Sequence, residues 1–219
     1  MDWQPPAVGS RATWIDDLEP DAPDVVAAWR GVEAERFLGV RREVRRRAGP
    51  GTAEVLVGQL GATAAALVDV VQSLPAGAFG LPGGEADWTV AEAVGHDAAA
   101  RAGLVMAAGL AAAGRWPADA PTVVPSVPGS NTAGRDELIR KLEQSQRIIV
   151  RSAGHVAGHE DEPCPLDHPL VGRLRCGEWL LFAGVHDVMH LEQLHRIAAG
   201  LAVTAGPTVG PTAAGDAVG

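Results

Sequence analysis

The chain has 219 residues, 47% of them hydrophobic, which is enough for a sizeable packed domain and too apolar for global disorder. A formal net charge of -9 argues against a nucleic-acid partner, because neutralising phosphates needs a basic surface. Abundant alanine and a shortage of alternating β-branched runs point to an all-α fold.

In chain order, residues Met1 to Pro20 read as an irregular strap containing Pro and Trp. Met1-Asp-Trp-Gln-Pro-Pro has neither the basic nor the apolar region of a signal peptide, so a soluble cytoplasmic protein is the expectation. A charged helix is predicted from about Asp24 to Ala48, with Val25, Trp29 and Val32 on one side, stopping at Gly49-Pro50-Gly51. The basic cluster Arg41 to Arg47 ends it, where cations complement the helix dipole and stay solvated.

Four further segments have the period of packed helices. The first covers about Thr52 to Leu74, with Val55, Leu56, Leu60, Leu67, Val70, Val71 and Leu74 as its stripe. The second runs from Thr89 to Ala113 and opens on Thr89-Val-Ala-Glu92, a capping-box pattern. The third covers about Gly134 to Val156, with Leu138, Leu142, Ile148 and Ile149, and the fourth about Cys176 to Ala199. The apolar run Ala102 to Gly114 is too short to span a bilayer and is flanked by Arg101 and Arg115, so no membrane partner is expected. Long Pro-, Gly- and Asp-containing connections at 75–87, 114–132 and 158–175 suggest crossovers rather than up-down hairpins. The expected organisation is a strap and extra N-terminal helix over 1–50, a four-helix bundle over 51–200 and a disordered tail over 201–219.

Histidine carries the chemistry. His186 and His190 are four apart, hence on one helix face, where two imidazoles can grip one ion from the same side. Trp179, Phe182 and Gln193 share that face, while His195 points elsewhere. His96 lies inside a second apolar helix, a costly place for an unsatisfied polar ring. A His-x-x-x-His pair alone is a weak metal signal; His96 strengthens it without showing that the three meet. Neutral imidazoles suit zinc, nickel, iron or copper, and three protein ligands leave room for a substrate. Ala99, Ala100 and Gly103, close to the His96 face, would leave space above such an ion. His155, His159, Cys164 and His168 form a rival group in a Gly-, Asp- and Pro-rich stretch that reads as solvated loop. Cys176 at a helix start invites a lowered pKa, though a small apolar role is the simpler reading, and reduced thiols are the default in a cytosol.

Asp87-Trp-Thr-Val-Ala-Glu-Ala-Val-Gly-His96 resembles the W-[ST]-V-x-[DE]-x-[LV]-x-H opening of helix two in the DinB-like superfamily. His168-Pro-Leu-Val-Gly172, Glu178-Trp179 and His186-Asp-Val-Met-His190-Leu-Glu-Gln193 resemble its later HP-x-x-G, E-W and H-D-x-x-H-x-x-Q blocks, in the same order. The resemblance covers about 52–199 and implies a four-helix bundle with a long crossover, frequent homodimers, and a divalent metal on His96, His186 and His190. Relatives include metal-dependent transferases and isomerases using mycothiol or bacillithiol, and proposed hydrolases. One departure is Arg175, where the family usually has Ser or Thr, a poorer helix cap.

The expected function is metal-dependent transfer involving a low-molecular-weight thiol and a small-molecule electrophile, zinc being the first choice of ion and nickel or iron the alternatives. In that reading Trp179 walls the site, Gln193 orients a ligand imidazole and Glu92 is the candidate proton acceptor. Hydrolysis with Glu92 as general base, or a non-catalytic metal-stabilised binding protein, are the rival expectations.

Overall fold

A computed structural model describes residues 13–31, 37–84 and 87–204. Its fold is mainly helical with a small two-stranded sheet: α1 Thr13–Leu18, α2 Pro23–Trp29, α3 Leu38–Arg47, α4 Ala53–Ser73, α5 Val90–Ala112, α6 Arg135–Ala153, β1 Pro163–His168, β2 Gly172–Arg175 and α7 Cys176–Thr204. The four long helices pack in alternation, α4 and α5 each lying against both α6 and α7.

The stripes explain that packing. On α4, Leu56, Leu60, Leu67, Val70 and Val71 are buried as their helical spacing predicts, while Val55 turns outward, 59% exposed. By length and composition α4 could also cross a membrane, a property the sequence reading gave to no segment. Thr89 caps α5 with the reciprocal Glu92 box. On α6, Leu138, Leu142 and Ile149 are fully buried. At α7, Arg175 retains half a capping box, since Glu178 accepts its backbone N–H at 2.8 Å. Backbone carbonyls of Glu162 and Glu160 take the N–H groups of Cys176 and Gly177.

Four expectations change. The strap over residues 1–20 contains a helix, α1, and residues 1–12 lie outside the described part. The single helix expected over 24–48 is two helices, α2 and α3. Gly31 and Gly39 touch backbone to backbone; a Cβ on Gly39 would fall 1.8 Å from the Gly31 carbonyl oxygen, so the chain folds back where no side chain obstructs it. Val32, expected on the stripe, lies outside the described residues. The 158–175 connection is not all loop: β1 and β2 pair antiparallel through His168 and Gly172, whose φ of 70° suits glycine. The disordered tail expected from 201 is helical where it is described, since α7 continues to Thr204; 205–219 lie outside the described residues.

The N-terminal helices cover the outside of α4 and α7. Gln59 of α4 accepts the Asp24 and Val25 N–H groups at 2.9 and 3.1 Å, capping α2. Val25 packs where α7 carries Gly184, so close that a Cβ there would come within 2.6 Å of its methyl group.

Candidate metal centre

His96 stands two turns into α5, and His186 and His190 occupy successive turns of α7, the helix against which α5 packs. The packing brings the three rings together. His96 lies 5.4 Å from His186 and 5.5 Å from His190, centroid to centroid, and His186 lies 4.6 Å from His190. One ring nitrogen of each lies within 4.8 Å of the other two. All three residues are buried, with exposures of 6%, 4% and 3%.

Each ring is held from behind. Nδ1 of His96 meets the Val127 carbonyl at 2.8 Å, Nδ1 of His186 meets Asp97 Oδ1 at 3.1 Å, and Nδ1 of His190 meets Gln193 Oε1 at 2.8 Å. Those oxygens only accept, so each Nδ1 carries the hydrogen and the lone pair sits on Nε2. Three neutral imidazoles presenting Nε2 from one compact site can hold a divalent ion.

Burial holds His96 below the ordinary imidazole value, the Val127 carbonyl opposing it and the His190 charge adding to it. Burial works against ionised Asp97, but the His186 hydrogen bond and the charges of His190, His186 and Arg101 outweigh it, leaving its carboxyl below the usual aspartate range. A second close group is Asp97, His186 and Asp187. Asp187 is already engaged: Arg101 Nε reaches both its oxygens at 3.0 and 3.1 Å, and the Thr63 hydroxyl also donates to it. The three-histidine set is therefore the better fit for a cation.

The other expected site residues fall into place unevenly. Gln193 meets Nδ1 of His190 through its Oε1, and its amide also donates to the Gly83 carbonyl. The Glu92 carboxylate accepts the Thr89 N–H and hydroxyl at 2.8 and 2.9 Å, so it is occupied as a helix cap. Trp179 is fully buried between the His168 and Phe182 rings and does not line the cavity beside His96; Trp116 does. The rival group does not assemble. His155 is exposed beside Arg115, Cys164 is sealed in the core, and His168 packs on Phe182 at 4.9 Å. Burial drives the Cys176 thiol up to about 12, the opposite of activation. His195 stacks on Trp14 instead, at 4.8 Å.

Sequence reasoning missed Asp97, the Val127 carbonyl and Trp88, whose ring lies 4.9 Å from His96. Asp97 adjoins His96 and could have been found as an acid inside an apolar helix; a backbone carbonyl from a loop carries no sequence signal. No family model, curated protein or solved structure matches the chain.

Proposed function

We propose that this chain is a divalent-metal-binding protein of the DinB-like kind, a four-helix bundle with long crossovers. In this reading it joins a low-molecular-weight thiol of the mycothiol type to a small electrophile. The observation that carries the reading is the set of three buried imidazoles, each with Nδ1 on a hydrogen-bonding oxygen and one ring nitrogen of each within 4.8 Å of the other two.

His96, His186 and His190 would hold the ion, zinc first on donor type and nickel or iron as alternatives. A divalent cation supplies the preference for thiolate over thiol at neutral pH. The chain's own residues supply positioning: Val127, Asp97 and Gln193 fix the rings, and burial lowers the pKa of His96. Glu92 is tied up in the α5 cap, which counts against its use as a base in either reading; thiol chemistry is kept ahead of hydrolysis because a divalent cation would itself favour the thiolate. The cavity beside His96 favours an open site over a closed, purely structural one.

The test is metal content by elemental analysis together with thiol consumption against a panel of electrophiles, with and without chelator. Stoichiometric zinc and chelator-sensitive thiol consumption, both lost in His190→Ala, are expected. Intact metal binding with no thiol consumed overturns the transferase assignment, and ester or amide turnover without thiol favours a hydrolase. Refusal of every divalent ion by the folded protein overturns the metal centre itself.

A further inference from the structure

A cavity of about 380 Å³ opens beside His96, between α5 and the connection that leads to α6. Its α5 side has a strip of small residues, Ala99, Ala100, Gly103 and Ala107, flanked by Leu104, Met106 and Leu110; its far side includes Trp116 and prolines of the connection. Among the described lining residues none is charged, and only His96 and Trp116 carry a side-chain nitrogen. The rim is apolar as well: Met106 and Val127, which line it, are 48% and 57% exposed, and neighbouring Val123 is 56% exposed. Large aliphatic side chains left in water around a concave apolar surface mark a binding site.

We infer that this cavity takes an uncharged, largely apolar small molecule whose one end lies against His96 and whose body runs along the small-residue face of α5. This deepens the proposed function by naming the class of the electrophile, and its link to chemistry rests on the metal reading; the cavity's preference does not. At ~30 Å³ per water-sized unit the space holds roughly a dozen non-hydrogen atoms. A charge on the body would be stripped of water with no opposite charge in the lining to receive it. The connection does double service: it walls the cavity with Trp116 and supplies the Val127 carbonyl that orients His96. It is pinned on either side of Val127, by Val124 N–H on the Asp167 carbonyl and Gly129 N–H on the Glu92 carbonyl, each at 2.9 Å.

Gly103 offers a clean probe, because a Cβ there meets nothing within 4 Å. Gly103→Leu should therefore fill the cavity without disturbing the helix. The experiment titrates the full chain with straight-chain alcohols from butanol to decanol, read by calorimetry and by tryptophan fluorescence through Trp116. Affinity should rise about three- to fourfold per methylene until the cavity is full. Alkylammonium ions of equal length should bind at least about tenfold weaker. Gly103→Leu should abolish the chain-length dependence with metal content unchanged.

No chain-length dependence, equal binding of the ammonium series, or an unaffected Gly103→Leu variant overturns the inference. The two readings fail separately. An alkanethiol should outbind the matching alkanol only while metal is present; loss of that difference with the chain-length dependence intact strikes the metal reading and leaves the cavity assignment standing.

Discussion

Asp97 and Gln193 stand behind two of the three imidazoles, and neither touches the centre they shape. Each fixes a tautomer and raises the basicity of the opposite nitrogen. Asp97→Asn and Gln193→Ala are each expected to weaken zinc binding by about 10- to 100-fold, measured by competition against a chromophoric chelator, with helicity unchanged. Wild-type affinity in both variants would remove the orienting role. His168 makes a different prediction. Burial first, then the charges of His186 and His96, lower it from 6.5 to about 4. Its Nδ1 accepts the Leu170 N–H at 3.1 Å, a bond an imidazolium cannot accept. Below pH 6.5 the unfolded chain takes up this proton and the folded chain does not, so stability is lost as pH falls toward 4. The full loss is about 3 kcal/mol. His168→Asn keeps an acceptor and cannot titrate, so its urea midpoint should fall less between pH 7 and pH 5 than that of the wild type. Equal slopes would dismiss His168 as the titrating group.

The long connection between α5 and α6 reaches the centre because two glycines let it lie directly on α5. A Cβ on Gly95 would come within 2.9 Å of the Gly129 Cα, and one on Gly129 within 2.7 Å of the Gly95 Cα. Gly95→Ala should lever the connection away, with a loss of about 1–3 kcal/mol and weaker zinc binding as the Val127 carbonyl leaves His96. Gly103→Ala, on the same helix in open space, should stabilise by up to about 1 kcal/mol. Thermal melts and zinc titrations of the pair check the claim; similar behaviour of the two would refute a contact-specific effect. This contact also shows what periodicity misses. The capping box at Thr89 was legible because it is local, whereas the Gly95–Gly129 contact joins positions separated by a loop of no regular pattern.

Beneath the histidines, one ionic network ties the four long helices together. Arg101 of α5 is fully buried and pairs with the equally buried Asp187 of α7. It also donates to Ser145 and Gln146 of α6 and to the Leu60 carbonyl of α4, at 2.8, 3.2 and 2.7 Å. Burial pushes Asp187 up to about 7 against the pull of Arg101, with the Asp97 charge adding to the rise. Arg101→Met should cost about 3–5 kcal/mol because it leaves Asp187 buried without its counter-charge and removes the hydrogen bonds to Ser145, Gln146 and Leu60. Adding Asp187→Leu should recover much of that loss, since both charges are then gone. Denaturant unfolding of the two variants and the wild type closes the cycle; a double variant no better than the single would show that the network is not a charge-balance device. Arg101 had appeared in the sequence only as the flank of an apolar run, and Asp187 only as the residue after a histidine.

Helical class, the α5 cap and the shared face of His186, His190 and Gln193 were readable along the chain, because hydrogen bonding and periodicity over one or two turns are local matters. Tertiary packing alone decided the rest. It placed His96 opposite the pair, put Asp97 and a loop carbonyl behind the rings, moved the cavity wall from Trp179 to Trp116, and sealed Arg101 onto Asp187. Those contacts join residues tens of positions apart, and their energies depend on burial, which no local pattern encodes.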